Sequence, residues 1–124
     1  MPRVILIEDD QFVRKAVMRA FRDQVEIVAF GTLQEAEAHL DERWDGMIID
    51  RQLPDGDGLA FAVRIKDRNP NASIVLFSGE DPRDLAAQTA QHGIAHADKA
   101  DGVRTLTPII EMWMRIAEGS GSGA

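Results

Sequence analysis

The chain contains no cysteine. Disulfides and thiolate metal sites are therefore excluded, and the absence fits a cytoplasmic home. Positive charge is also in short supply: 14 Lys and Arg stand against 21 Asp and Glu, a net charge of −7. Nucleic-acid binding needs a basic face, so this balance argues against it. No apolar stretch approaches the roughly 20 residues that cross a bilayer, and no membrane association is expected. No secretory signal is expected either, because Pro2 and Arg3 lead at once into a short apolar run that ends in three acids. No internal repeat is visible. What remains is 124 residues, 44% hydrophobic and 28% charged, which reads as one soluble globular domain with a single core.

Strand and helix patterns alternate along the chain. Val4 to Ile7 is a continuous apolar run, the pattern of a strand buried on both faces. Apolar residues at Phe12, Val13, Ala16, Val17, Ala20 and Phe21 follow with helical spacing. Val25 to Phe30 predicts a second strand. Gly31 and Thr32 open a helix to about Glu42, with Thr32 and Glu35 placed as a capping box. Met47 to Asp50 is the third strand, and Leu59 to about Arg68 the third helix. Asn69, Pro70 and Asn71 break the chain before a fourth strand, Ser73 to Phe77. A fourth helix begins near Asp81 or Pro82 and ends by Gly93. Ile94 to Asp98 is a weak fifth strand, and a last helix covers about Val103 to Glu118. The domain is thus placed at residues 1–118. The closing "GSGSGA", residues 119–124, has linker composition and reads as a flexible added tail or the start of a longer linker.

Five βα units in this length imply a parallel sheet with helices on both faces and right-handed crossovers. The expected solution is α/β, a flavodoxin-like doubly wound (βα)5 three-layer sandwich with strand order 2-1-3-4-5. Ligands bind in such folds at the carboxyl ends of strands 1 and 3, where the winding reverses.

The polar residues fall on that rim. Glu8, Asp9 and Asp10 follow the first strand, Asp50 ends the third, Ser78 follows the fourth, and Lys99 follows the fifth. Carboxylates brought together repel and raise one another's pKa. A divalent cation relieves this, and a set of oxygen donors without Cys or His matches Mg²⁺ or Mn²⁺. A hydroxyl and an ammonium beside that cation suit a group with anionic oxygens, phosphoryl above all. An Asp in this position can act as a phosphoryl-accepting nucleophile.

Four segments, in order and at these spacings, resemble the receiver domain of two-component response regulators, over Pro2 to about Glu118. "VILIEDD" at 4–10 resembles its acid-pair motif, and "GMIIDRQLPDGDG" at 46–58 its phosphoacceptor strand and loop. "IVLFSG" resembles the strand ending in Ser or Thr plus a small residue, and Lys99 stands where the family has its lysine. The resemblance implies that Asp50 is the acceptor. It makes Glu8 and Asp9 the metal-binding pair, the main-chain carbonyl of Gln52 a further ligand, and Ser78 and Lys99 the phosphoryl-binding pair. It implies a phosphorelay switch charged by a sensor histidine kinase or a phosphotransfer protein. Such a domain is no enzyme beyond its own phosphorylation and dephosphorylation. Output would pass through the face formed by helix 4, strand 5 and helix 5, to an effector or to a second copy.

Some residues depart from the family pattern. Ala100 follows Lys99 where many members carry Pro. A cis bond before a non-proline residue costs roughly 2.5–4 kcal/mol, so a trans Lys99–Ala100 bond is expected. His96 occupies the aromatic switch position, where it either couples Ser78 to the output face or is a surface strand residue. Helix 4 is expected to be held loosely, mainly by Leu85, Ala86, Ala87 and Ala90.

Other readings compete. An aspartyl-phosphate phosphotransferase of haloacid-dehalogenase type would want a second Asp where Gln52 stands. A pseudo-receiver would only dock partners, and the complete acidic set argues against it. Asp10 reads as the start of helix 1. Asp55 and Asp57 resemble half a calcium loop, but Leu59 and Lys66 replace the acids it would need, so a turn is expected. Ser78 lacks the G-x-S-x-G elbow of a hydrolase. His39 and His92 read as surface helix residues, and helix 1 as ordinary core packing. In the last helix, Ile109, Met112, Trp113 and Ile116 form one apolar stripe and Leu106, Ile110, Met114 and Ala117 another. Together they span roughly 200°, wider than the roughly 100° stripe of a surface helix, so one stripe is either covered by neighbours or offered to a partner.

Overall fold

The structure, a computed structural model, describes residues 1–122. Its strands are β1 (Arg3–Ile7), β2 (Glu26–Phe30), β3 (Gly46–Ile49), β4 (Ile74–Ser78) and β5 (Ala95–Asp98). Its helices are α1 (Gln11–Phe21), α2 (Leu33–Glu37), α3 (Gly58–Arg68), α4 (Pro82–Gln91) and α5 (Thr107–Ser122). All strand pairs of the main sheet are parallel, in the order β2-β1-β3-β4-β5. This is the expected order, with the reversal of winding between β1 and β3.

Side chains alternate across a strand, so each apolar run feeds two cores. Ile5, Ile7, Met47, Ile49, Ile74 and Leu76 pack with Leu33, Leu59, Phe61 and Leu85 beneath α2, α3 and α4. Val4, Leu6, Ile48, Val75 and Phe77 pack with Val17, Phe21, Leu106, Ile110 and Trp113 beneath α1 and α5. The continuous apolar runs of β1 and β3 are explained by this two-sided burial. Gly46 opens β3 because Trp113 lies against it: a Cβ there would stand 2.5 Å from the indole ring.

Several elements differ from their sequence pattern. α2 stops at Glu37, not near Glu42. Beyond it the chain tightens into turns, with His39 N–H donating to Ala36 and Glu42 N–H to His39. The turns bring Asp45 to β1, where its N–H donates to Arg3 at 2.7 Å and its carboxylate accepts from the Arg3 N–H at 2.8 Å. Short 3-10 turns, Lys99–Asp101 and Val103–Leu106, precede α5. α5 then continues past Glu118 to Ser122; of the expected tail, residues 123 and 124 lie outside the described residues. A two-stranded hairpin, Gln52–Leu53 against Gly56–Asp57, builds the loop after β3.

Helix faces were also only partly legible. α1 buries Val17 and Phe21 in the core, while Phe12 is 75% exposed and Met18 is exposed as well. In α5 the buried set, Ile110 and Trp113, follows Leu106 of the preceding turn and draws on both predicted stripes, leaving Met112 and Ile116 exposed. α4 is held by Leu85 and Thr89, whereas Ala86, Ala87 and Ala90 are exposed. Thr89 was missed because its hydroxyl donates to Leu85 and Ala86 carbonyls, which makes a polar residue acceptable in the core. Among the described residues no peptide is cis, as expected for Lys99–Ala100, and no helix is long and apolar enough to cross a membrane.

Candidate functional site

Register brings the polar residues to one rim. Ile7 is level with Phe30 on one side and Ile49 on the other. The next residues close the ladder: Glu8 N–H donates to Phe30 at 2.9 Å and Asp50 N–H to Ile7 at 2.9 Å. Glu8 and Asp50 therefore stand side by side at the carboxyl ends of β1 and β3. Ser78 pairs with Asp98, which puts Lys99 just beyond the end of β5. The Lys99 ammonium lies 2.7 Å from Glu8 Oε2 and 3.1 Å from Asp50 Oδ2. Glu8, Asp9, Asp50, Ser78 and Lys99 line one open cavity, together with Asp10, Gln52, Gly79 and Glu80.

Carboxylate oxygens of Glu8, Asp9 and Asp50 lie within 4.8 Å of one another. Glu8 and Asp50 are buried and Asp9 is exposed. Burial pushes the Glu8 carboxyl above its ordinary pKa; the Lys99 hydrogen bond opposes this and the charge of Asp50 adds to it. Burial works against the Lys99 ammonium too, but the Glu8 hydrogen bond and the charges of Asp50 and Glu8 outweigh it and hold its pKa up. The site thus keeps crowded anions beside one cation, with oxygen donors only. That donor set fits a hard divalent cation.

The remaining acids have structural duties. Asp10 caps α1, accepting from Phe12 N–H at 2.8 Å, as expected. Asp57 caps α3, accepting from Leu59 N–H at 2.8 Å. Asp55 sits in a turn, as predicted, but with a role the turn pattern did not show. Its carboxylate accepts from Leu33 N–H and Gln34 N–H, each at 2.9 Å. Thr32 takes the next two donors, Glu35 N–H through its hydroxyl and Ala36 N–H through its carbonyl. Leu33, Gln34 and Glu35, three donors at the start of α2 without an intrahelical carbonyl, are thereby satisfied, two of them from the loop after β3, and the Ala36 bond is the first turn of the helix itself. The Leu33 N–H bond, then the Gln34 one, hold the Asp55 carboxyl below its ordinary pKa.

Three further residues escaped the sequence reading. Gly58 starts α3 against the backbone of the third strand's end, where a Cβ would lie 1.8 Å from the Asp50 carbonyl oxygen. Its only signal was the second glycine of "DGDG". Arg51, directly after Asp50, bonds Glu80 at 2.8 Å and approaches Asp57 at 3.5 Å. Ser78 is buried, and its hydroxyl accepts from Glu80 N–H at 3.2 Å. His96 is half-buried on β5, with a buried Nε2 that has no partner among the described residues. His39 and His92 are exposed, as expected, with His39 stacked on Phe30 and bonded to Glu42.

Comparison with known proteins gives the same picture. Residues 4–97 match the response regulator receiver domain family. The chain is 32% identical, over 94 residues, to the C4-dicarboxylate transport transcriptional regulatory protein DctD of Rhizobium meliloti, covering 74% of this chain and 20% of that one. It is 39% identical over 61 residues to the transcriptional regulatory protein FlgR of Helicobacter pylori, covering 48% of this chain and 16% of that one. It therefore spans about a fifth of the length of these relatives. In fold it is similar to the Francisella response regulator 1452 receiver domain, with TM-score 0.83, 16% identity and coverage of 94% and 99%. It is likewise similar to the signal receiver domain of a putative Luxo repressor protein from Vibrio parahaemolyticus, with TM-score 0.83, 21% identity and coverage of 97% and 95%. With its motifs on one rim of the sheet and the family match spanning most of its length, this chain is a member of the response regulator receiver domain family.

Proposed function

We propose that Asp50 accepts a phosphoryl group from a phosphohistidine and that the domain works as a phosphorylation-dependent switch. The observation that carries this is the position of Asp50: Oδ2 stands 3.1 Å from Lys99 Nζ, with Glu8 and Asp9 oxygens beside it. In the transfer, an Asp50 carboxylate oxygen forms a bond to phosphorus as the bond from phosphorus to the donor imidazole nitrogen breaks, and the imidazole leaves neutral after taking up a proton. Lys99 is placed to hold a phosphoryl oxygen, and Ser78 to donate its hydroxyl to another. Glu8, Asp9, Asp50 and the main-chain carbonyl of Gln52 would hold Mg²⁺, which supplies charge neutralisation for the transferring group.

The donor on this reading is a sensor histidine kinase or a phosphotransfer protein in the cytoplasm. The domain turns over no other substrate. Its output runs through α4, β5 and α5, with His96 linking that face to Ser78. The curated relatives are transcriptional regulators, which suggests an effector of that class. Incubation with acetyl phosphate and Mg²⁺, read by intact mass, tests the reading. A single phosphoryl adduct on the wild type and none on Asp50→Asn is expected. No adduct on either protein points instead to a docking module, and turnover of added phosphoesters to an enzyme.

A further inference from the structure

Two loops meet across the mouth of the site. One follows Asp50 and the other follows Ser78. Arg51 Nη1 in the first lies 2.8 Å from Glu80 Oε2 in the second, and its Nε lies 3.5 Å from Asp57. The Arg51 and Glu80 side chains are 23% and 34% exposed, so the pair is partly withdrawn from solvent screening. Glu80 is also the residue whose N–H bonds the Ser78 hydroxyl, at 3.2 Å. Among the described residues Ser78 has no hydrogen bond to Asp50 or Lys99. Its hydroxyl is held by its own turn, and that turn is held by Arg51.

We infer that Arg51 and Glu80 are positioning residues whose ion pair holds Ser78 back from the acceptor until a phosphoryl group draws it in. The inference rests on the acceptor reading above. To reach an oxygen on phosphorylated Asp50, Ser78 must leave the Glu80 N–H or carry residues 78–80 with it. The Glu80 carboxylate is tied to Arg51, and Arg51 is fixed by its place next to Asp50 and by Asp57. The pair therefore favours the unphosphorylated arrangement. For a ligand that needs the other arrangement, the apparent affinity is the intrinsic one multiplied by the fraction of molecules in which the pair is open.

Charge alone makes a different prediction, which separates the two explanations. Losing the Arg51 cation near an anionic ligand should weaken binding, and losing the Glu80 anion should strengthen it. If the pair is a restraint, Arg51→Gln and Glu80→Gln both strengthen it, and the double variant gains nothing more. The probe is beryllofluoride with Mg²⁺, titrated calorimetrically into the full chain. For a partly exposed pair, each single variant is expected to bind about two- to fivefold tighter than the wild type. The gain should shrink at high salt, because the wild-type pair is then already screened. Melting curves confirm that each variant is folded. Weaker or unchanged binding by Arg51→Gln overturns the inference, as does additive tightening in the double variant. Failure of the wild type itself to bind the probe overturns the acceptor reading instead, so the two failures are distinct.

Discussion

Replacing Gly58 with Ala should damage both fold and site. The added Cβ would lie 1.8 Å from the Asp50 carbonyl oxygen, 2.8 Å from its carbonyl carbon and 2.9 Å from Ile49 Cγ2. Two of these atoms are backbone, so no side-chain rotation relieves the overlap, and either α3 or the end of β3 must move. Overpacking of this kind costs about 1–3 kcal/mol, with the largest values where backbone shifts. Ala gains back up to about 1 kcal/mol in helix propensity, though less at a first helical position. A net loss of about 2 kcal/mol follows, which lowers Tm by about 8 °C for a domain of this size. The displacement falls on Asp50 itself. A shift of about 1 Å at a reacting group can cut the rate about a hundredfold, so phosphorylation by acetyl phosphate should drop at least tenfold even where the protein is fully folded. The comparison is Gly79→Ala, since nothing lies within 4 Å of a Cβ there and stability should change by less than about 0.5 kcal/mol. Calorimetry gives Tm, and intact mass against time gives the rate. A Gly58→Ala protein that melts within about a degree of the wild type and phosphorylates at the same rate would refute the steric reasoning.

Asp9→Asn should leave the melting curve nearly unchanged, because Asp9 is exposed, while sharply slowing phosphorylation and weakening Mg²⁺ binding; uptake at the wild-type rate would remove Asp9 from the metal set. Glu8→Gln should raise Tm in metal-free buffer at neutral pH. The Glu8 pKa is raised in the fold, so its ionisation removes stability as pH climbs through the ordinary carboxylate value toward the folded one. The advantage of the variant should vanish below that range, and the same variant should bind Mg²⁺ less well. Asp55→Asn should lower the urea midpoint at neutral pH and speed hydrogen exchange at the Leu33 and Gln34 amides. The Asp55 pKa is depressed in the fold, so its contribution is complete above the unfolded value, and the gap from wild type should close as pH falls through the folded one.

The five strands, the order of the sheet and the ends of β1 and β3 were legible in local pattern. A strand buried on both faces is an unbroken apolar run, and a connection by one helix leaves few parallel arrangements. Asp50, Glu8, Asp9, Ser78 and Lys99 followed, because a residue one step past a strand end has its place set by the ladder. Other features depend on pairs far apart in sequence, and no local window contains them. The Arg51–Glu80 bond joins residues 29 apart, and the Asp55–Leu33 bond residues 22 apart. Gly58 looked like turn chemistry, and only the approach of α3 to the Asp50 carbonyl shows that the absence of a side chain matters there. Periodicity also could not say which stripe of α5 or which residues of α4 face inward. Trp113 is inside because Gly46 makes room for it, Thr89 because its hydroxyl is satisfied by its own helix, and Phe12 is outside because, among the described residues, no neighbouring element covers the start of α1.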